Sequence, residues 1–582
     1  MATHDVVGRI LASLGKGGPV DSRFEPCADV PKAGVLVALP ALLASGLWSQ
    51  TEEHFALPAG YYQLVHLFLL VAFLALARVK SLESLRYCAP GEWGKVLGLD
   101  RIPEVRTLRE KLQLLGREET VAAWAAQLSR QWMAEDPESA GTLYVDGHVR
   151  VYHGSAARLP QHYVPRQRLC LRATTDYWVN AMDGRPFFVV HRPVDPGLLK
   201  VLEEEIVPRL EKEVPNQPTT EQLAADPKLD KFIVVFDREG YSPEALRRLK
   251  ERRIGCLTYH KHPGPDWPEN EFQNCTVKLA HGNQEEMKLA ERRTVLSNGF
   301  EVREVRHLDG SGHQTSVLAT TEQLKREAVA GGMFGRWSQE NFIKYMREHY
   351  ALDRLVSYQV EQMDETTSVV NPAWRKLDRA VRSLRAKLHP KLARFGAMNL
   401  TGSIEPEVVE KFLKRKAALQ EQIQQLQTQL QERKAAQAHH LPLGQVPEAE
   451  RFDRLSSGSK DLVDTIKLVA YRAETAMAHV MREALPQWRQ DEERRLLQSL
   501  YASEADLIPD EAVGTLRVRL HYPANPMLAR AVQKLCEELT ATETVFPTTK
   551  LRLVYQLADG AAGTEPRVEV GDGIEKRQEA SD

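Results

Sequence analysis

The stretch from Gly141 to Gly154 constrains the fold of this chain more than any other, because apolar and polar side chains alternate along it. Such alternation predicts a long β-strand packed on a core. One predicted face carries Leu143, Val145, Val149 and Val151, and the other carries Tyr144, Asp146, His148 and Arg150. Asp and Gly are poor strand formers, so the pair Asp146-Gly147 needs a reason. Asp-Gly is typical of a hairpin turn, and the alternative is a metal-binding aspartate beside a close backbone approach.

Length and composition restrict the class of protein. The chain has 582 residues, enough for about three to five domains of ordinary size. Its net charge is −2, so any DNA-binding surface must be local. Because the six cysteines lack Cys-x-x-Cys spacing, we expect reduced cytosolic thiols rather than disulfides or a zinc site. The first residues do not combine a basic region with an apolar one, so we expect no signal peptide.

Two apolar runs near the N-terminus, residues 33–48 and 61–77, are candidate membrane segments. The first contains Pro40, and the second contains Gln63 and His66. A helix needs about 20 apolar residues to span a bilayer, so the runs favour buried core helices. A membrane-associated protein remains a competing class of function, which fractionation of the expressed protein would separate.

Beginning with this first strand, the sequence predicts three β segments, then helix, strand, helix and strand. These elements lie at 141–154, 167–173, 186–192, 196–212, 232–236, from Ser242 onwards and at 254–259. The run Phe232–Phe236 is continuously apolar and ends in Asp237, which is typical of a central strand buried on both faces. Between Cys275 and Thr321 alternating strands and turns predict a small antiparallel insertion. At its entry, Trp267 either anchors the surface or stacks on an unpaired base.

Three carboxylates form the candidate catalytic and metal site. They are Asp146, Asp237 and Glu340, placed on two predicted strands and on a helix that follows the insertion. Side chains in these positions can converge at one end of a sheet. Carboxylate oxygens suit Mg²⁺ or Mn²⁺, and a pair of such ions clamps the attacking and leaving oxygens of a phosphodiester displacement.

A basic helix is predicted in the segment 374–394, which has eight cations against Asp378 alone. The cations that share one face of this helix are Arg375, Arg379 and Arg382. We expect the helix to end at Pro390. The segment is either a solvated charged face or the local surface that binds DNA phosphates.

Three motifs carry a resemblance to a known family. They are Tyr144-Val-Asp146-Gly, Val234-Val-Phe-Asp237-Arg-Glu-Gly-Tyr241 and Arg336-Trp-Ser-Gln-Glu340-Asn-Phe. On these residues the chain resembles the DDE transposases of bacterial insertion sequences, over roughly residues 140–350. A β-rich insertion precedes the glutamate, as in the hairpin-forming branch with its tyrosine, arginine, glutamate and lysine signature. Here Met333 stands in the tyrosine position and Arg347 in the lysine position.

The resemblance implies an α/β fold with a ribonuclease H-like mixed-sheet core, flanked by helical N- and C-terminal regions. It also implies two-metal chemistry, in which Asp146 and Asp237 hold the metals and Glu340 completes the site. A water cleaves the DNA at the end of the element, and the freed 3′-hydroxyl attacks target DNA. Arg336 and Arg347 would hold DNA phosphates. Under the same resemblance His148 would support the metal ligands, or it is a packed strand histidine.

The implied partners are transposon ends and target DNA, bound by a homo-oligomer without a membrane, in the cytoplasm and associated with the nucleoid. Two alternatives stay open: an inactive DNA-binding protein derived from a transposase, and a related metal-dependent nuclease.

The predicted segments are a helical N-terminal domain with possible DNA binding (1–135), the first part of the core (136–260), the insertion (261–325), the helix with Glu340 (326–360), a basic helix and short coiled coil (361–440), a C-terminal helical region with a strand–helix–strand unit (441–560) and a disordered tail (561–582).

Overall fold

A computed structural model of the chain describes residues 6–164, 167–279, 284–354, 360–398, 405–435, 440–484, 492–521 and 526–558. The predicted disordered tail lies outside these residues, and the predicted segment boundaries stay predictions.

Short helices fill the region before residue 141. They are α1 (Val6–Ser13), α2 (Leu39–Ala44), α3 (Thr51–His54), α4 (Leu64–Leu76), α5 (Pro90–Val96), α6 (Val105–Leu115), α7 (Glu118–Glu135) and α8 (Pro137–Ala140), with one strand, β1 (Cys27–Val30). Every residue of α4 is buried, as expected for a helix that is apolar all round. The prediction that both apolar runs form core helices is therefore confirmed. Among the described residues, no helix is both long and apolar enough to cross a membrane.

A ten-stranded sheet forms the centre of the molecule. Its strands are β2 (Thr142–Val151), β3 (Gln161–Val164), β4 (Leu169–Ala181), β5 (Pro186–Arg192), β6 (Phe232–Phe236), β7 (Ile254–Tyr259), β8 (Gln273–Lys278), β9 (Gln284–Val295), β10 (Glu301–Leu308) and β11 (Gln314–Ala319). The order is β3-β4-β2-β6-β7-β11-β10-β9-β8, with β5 paired to β4. Strands β2, β6 and β7 are parallel, whereas β4 and β11 run antiparallel to their neighbours β2 and β7.

This sheet confirms the predicted strand order and the antiparallel insertion, and it shows that the insertion extends the same sheet through β11. Asp146-Gly147 lies inside β2 and not in a turn. One expectation was incomplete: β2 packs on both faces, because Tyr144 is as buried as Leu143. A strand in the middle of a sheet that is covered on both sides has no open face over that part of its length.

Helices follow the strands of this sheet. They are α9 (Leu198–Val201), α10 (Val207–Glu213), α11 (Thr220–Ala225), α12 (Pro243–Glu251), α13 (Arg326–Phe334) and α14 (Trp337–His349). Ser242 begins α12 as predicted, since its hydroxyl accepts the Ala245 N–H. A π-helical turn at 202–206 joins α9 to α10.

The C-terminal part packs back onto the N-terminal helices. Its elements are β12 (Val360–Gln362), β13 (Ser368–Val370), α15 (Pro372–Gly396), α16 (Pro406–Ala435), β14 (His440–Pro442), β15 (Asp453–Leu455), α17 (Gly458–Ala484), α18 (Glu492–Ala502), β16 (Ala505–Asp510), β17 (Thr515–Leu520), α19 (Pro526–Ala541) and β18 (Arg552–Leu557). The predicted strand–helix–strand unit is confirmed by the parallel pair β17 and β18. Strands β16, β17 and β18 form one sheet with β1, which pairs with β16. Helix α17 packs on α4.

One local prediction was wrong, and one of the two alternatives for Trp267 is excluded. Pro390 does not end its helix, because α15 continues to Gly396. A proline inside a helix costs about 3 kcal/mol, and the packing of Leu388 against Leu419 and Ile423 of α16 offsets that cost. The contact joins α15 to residues of the predicted coiled coil, which stays a prediction. Trp267 is not open to a DNA base, because its side chain is buried against the guanidinium groups of two arginines of the insertion.

Candidate active site

The carboxyl ends of β6 and β7 lie at one edge of the sheet, beside the middle of β2, which is parallel to them. Val145 pairs with Phe236, and Phe236 pairs with Thr258. The next residues along the three strands are Asp146, Asp237 and Tyr259. Residues in register on neighbouring strands point to the same face, and the strands lie about 4.8 Å apart. The two predicted aspartates therefore lie side by side, with a tyrosine as the third member of the row.

Helix α14 brings Glu340 to this edge. The Ser338 hydroxyl donates to the Met182 carbonyl at 2.7 Å, and the buried Gln339 amide donates to Asn180 Oδ1 at 2.9 Å. Both contacts hold the first turn of α14 against the hairpin of β4 and β5. Glu340 itself lies in that first turn and is exposed. A carboxylate at this position is favoured by the positive end of the helix dipole.

Two glycines permit the close packing around these residues. Gly184 turns the β4–β5 hairpin with a φ of 89°, and a Cβ there would lie 2.8 Å from the Ser338 carbonyl oxygen. Gly147 lies directly after Asp146, and a Cβ at this position would lie 3.2 Å from the ring of Tyr177. The absence of a side chain at Gly147 thus lets the ring of Tyr177 lie close to the backbone of β2, in keeping with the close approach that the sequence suggested.

The three carboxylates influence one another electrostatically. Burial raises the pKa of Asp146 to about 6, and the charges of Asp237 and Glu340 act in the same direction. Arg336 and the N–H of Gly147, which donates to Asp146 Oδ1 at 3.0 Å, act in the opposite direction. Neighbouring negative charges disfavour the ionised form of a carboxyl group, so Asp146 lies within the electrostatic influence of the other two predicted ligands.

Arg336 lies between the two aspartates. Its Nη2 is 3.6 Å from Asp146 Oδ2, and its Nη1 is 3.7 Å from Asp237 Oδ1. The guanidinium is buried, and its Nε has no hydrogen-bond partner among the described residues. In this arrangement Arg336 partly neutralises the carboxylates that repel one another.

The donor set fits a hard divalent cation. All three predicted ligands offer carboxylate oxygens, which Mg²⁺ and Mn²⁺ prefer, and a cation would stabilise the buried negative charge of Asp146. Within the described chain, a tight group of possible ligands lies elsewhere, with atoms within 4.8 Å of one another: Asp29, Asp506 and His521. There, Arg519 already bonds Asp506 at 2.8 Å. Asp146, Asp237 and Glu340 do not form so tight a group among the described residues.

Asp353, which the sequence reasoning missed, joins the far end of α14 to β2. Arg347 Nε donates to Asp353 Oδ2 at 2.6 Å, and His148 Nε2 lies 2.8 Å from Asp353 Oδ1. Although burial acts against it, His148 and Arg347 lower the pKa of Asp353 to about 2. His148 therefore bonds a residue after α14, and Arg347 has a protein partner in this structure.

The basic helix lies apart from the carboxylates in sequence. Arg379 and Arg382 are exposed on α15, and Arg382 pairs with Asp378 at 2.6 Å. The side chain of Arg375 lies outside the described part of the chain. The buried face of α15 packs against α16, so its exposed arginines face away from that contact.

Sequence signals existed for some of the residues that were missed. Tyr259 is the last residue of the buried strand β7, and Asp237 directly follows the buried strand β6. Comparing the residues at the two strand ends would therefore have identified Tyr259. Gln339 and Asp353 gave no such signal, because their roles depend on contacts with β4 and β2 that periodicity does not reveal.

Comparison with known proteins gives one family. The model of a family described as transposase protein matches residues 3–559. No curated protein matches the chain. Among solved structures, the chain is similar to the piggyBac transposase in its synaptic complex with hairpin DNA, over 83% of this chain and 84% of that chain, at 10% identity and a TM-score of 0.27. A likeness at that TM-score supports no inference. Because the family match spans nearly all of its residues, the chain belongs to this family of transposases.

Proposed function

We propose that this protein is a DNA transposase of a bacterial insertion sequence, which cleaves DNA at the ends of its element and joins the freed 3′-hydroxyl to target DNA. The observation that carries the proposal is the position of Asp146 and Asp237 on neighbouring parallel strands, each within 4 Å of the same guanidinium, that of Arg336 at the start of the helix with Glu340. Membership of a transposase family supports the same conclusion.

We further propose that the core is ribonuclease H-like. The support is the order along the chain, in which the antiparallel strands β2, β4 and β5, with the short β3 between β2 and β4, are followed by helix, strand, helix and strand, with β6 and β7 parallel to β2. In an open sheet with parallel strands, ligands bind outside the carboxyl ends of the strands. Asp237 follows the carboxyl end of β6, and Asp146 lies beside it inside β2, so the proposed reaction takes place at the edge that such sheets ordinarily use.

In this proposal Asp146, Asp237 and Glu340 hold Mg²⁺ or Mn²⁺, most simply as two ions. When bound, the ions supply charge stabilisation for the attacking and leaving oxygens of the phosphodiester. The side chains do the positioning: Ser338 and Gln339 fix the first turn of α14, which carries Glu340. Arg336 adds a buried positive charge that stays beside the carboxylates.

DNA backbone contacts are proposed along α14 and on α15. An open cavity of about 540 Å³ beside α14 is lined by Lys344, Arg347, Glu348 and Asp353. Lys344 and Arg347 lie four and seven residues after Glu340, so they share its face of α14 and lie farther along the helix from the carboxylates. A phosphate in this cavity would meet two cations, with one-third of the Arg347 side chain exposed to it.

The DNA that flanks the gene provides the direct test of this function. Inverted repeats bracketed by short direct repeats are expected there. A plasmid that carries these flanks, incubated with the protein and Mg²⁺, should be cut at the repeats and should yield joined products. Cleavage without joining would instead support the nuclease alternative, and binding without cleavage would support the inactive DNA-binding protein.

A double variant of the basic helix is expected to weaken DNA binding without changing sequence preference. Replacing Arg379 and Arg382 by glutamine should reduce the slope of log affinity against log salt by about 0.9 for each DNA phosphate that is no longer neutralised. The matched control replaces Arg530 and Lys534, two exposed cations one turn apart on α19, and should leave the slope unchanged. Equal slopes for the wild type and both variants would show that α15 is only a solvated face.

A further inference from the structure

We propose that Tyr259 is a further DNA-contacting residue of the active site, whose hydroxyl donates a hydrogen bond to a phosphate oxygen of the cleaved strand. This inference rests on the proposed function and deepens it. It starts from the sheet register, in which the residue after Thr258 on β7 stands beside the residue after Phe236 on β6. Tyr259 is therefore the direct neighbour of Asp237.

The packing of Tyr259 fixes the face on which its side chain lies. Its ring packs against the apolar cluster that contains Tyr144, Val235 and Leu257. These residues lie two positions before Asp146, Asp237 and Tyr259 on their strands. Because alternate strand residues share a face, the phenol lies on the carboxylate side of the sheet.

The hydroxyl of Tyr259 is available to a ligand. A tyrosine hydroxyl is protonated at neutral pH, because its ordinary pKa is about 10, and can act as a donor. Among the described residues, none donates a hydrogen bond to this hydroxyl or accepts one from it.

The surroundings of Tyr259 are open and basic, which suits a DNA strand. The guanidinium of Arg238 lies over the ring, 5.3 Å from its centroid. Arg238, Lys261 and His262 are exposed. A half-buried tyrosine that only packed its ring would not need a hydroxyl at this place. Tyrosine hydroxyls are among the groups by which proteins bind DNA phosphates.

The test is Tyr259→Phe, which removes only the hydroxyl. A hydrogen bond to a charged group corresponds to a loss of about tenfold or more. We expect cleavage efficiency on end DNA to fall by that factor, with the melting temperature and the Mg²⁺ concentration for half-maximal rate unchanged. Tyr163→Phe, at an exposed tyrosine of β3, is the matched control and should cleave like the wild type.

A second arm identifies the phosphate. Methylphosphonates, which lack the phosphate charge, are placed one at a time along the cleaved strand. At one position, the methylphosphonate should lower the cleavage rate of the wild type about tenfold. At the same position, Tyr259→Phe should cleave the modified and the unmodified DNA at the same rate. Such non-additivity arises only when the two groups contact each other or share a partner.

The outcomes separate this inference from the proposed function. If Tyr259→Phe cleaves within twofold of the wild type while Asp237→Asn is inactive, the inference is overturned and the function stands. If Asp237→Asn is active, the proposed function is overturned as well. A loss in Tyr259→Phe that excess Mg²⁺ restores would assign the hydroxyl to the metal site and would overturn the DNA contact.

Discussion

Replacing any one of the three carboxylates with its amide or with alanine is expected to abolish DNA cleavage. Asp146→Asn, Asp237→Asn and Glu340→Gln keep the shape of each side chain and remove one oxygen ligand and its charge. We expect the rate to fall at least about 10³-fold, as for other groups that act on charge in the transition state. The corresponding alanine variants should lose DNA cleavage to the same extent. The measurement is cleavage of end-containing DNA, with DNA binding and the melting temperature recorded for each variant.

The fold should survive these changes. Since burial and neighbouring charges raise the pKa of Asp146 to about 6, this side chain is still mostly ionised at neutral pH, and its ionisation there destabilises the folded state. Asp146→Asn should therefore be at least as stable as the wild type. Glu251→Gln, at an exposed carboxylate on α12, is the control and should change neither activity nor stability. Near-normal cleavage by any of the site variants would remove that residue from the site.

Glu474→Ala is expected to cause the largest loss of stability. This carboxylate is fully buried on α17, and Arg78 Nη2 lies 2.7 Å from its Oε2. It also accepts hydrogen bonds from the hydroxyls of Tyr345 and Tyr350 and pairs with Arg494. Although burial opposes it, Arg78 and Arg494 lower the pKa of Glu474. Its removal would leave two buried cations without their counterion.

Breaking a buried charge network in this way costs about 3–5 kcal/mol in the free energy of unfolding. The measurement is denaturant unfolding of Glu474→Ala beside Glu483→Ala, an exposed carboxylate on the same helix that should change stability by less than about 0.5 kcal/mol. Tyr345 lies on the helix that carries Glu340, so the first variant should also cleave more slowly at saturating DNA. A loss below about 1 kcal/mol for Glu474→Ala would show that the network is not stabilising.

Local patterns in the sequence predicted the elements that carry the site. The apolar run Phe232–Phe236 predicted a buried central strand, and the alternating stretch around Asp146 predicted another. The pair Asp183-Gly184, which is typical of a hairpin turn, joins β4 to β5. These features depend on a few neighbouring residues, so periodicity and turn chemistry were enough to find them.

Contacts between distant parts of the chain could not be predicted in this way. The pairing of β1 with β16 and the contact of Arg78 with Glu474 join residues that are hundreds of positions apart. The position of Arg336 between the aspartates depends on how α14 docks on the sheet. Propensity also failed at Pro390, where packing against α16 outweighs the helix-breaking tendency.

The most direct test of the central claim is the dependence of end cleavage on the bound ion. The protein is stripped with chelator and assayed for nicking of end-containing DNA with each metal in turn. We predict activity with Mg²⁺ and Mn²⁺, little with Ca²⁺ because its looser coordination holds the reacting oxygens less well, and none in chelator. Full activity in chelator, or activity restored by Zn²⁺ alone, would contradict a site in which Asp146, Asp237 and Glu340 hold the metal ions.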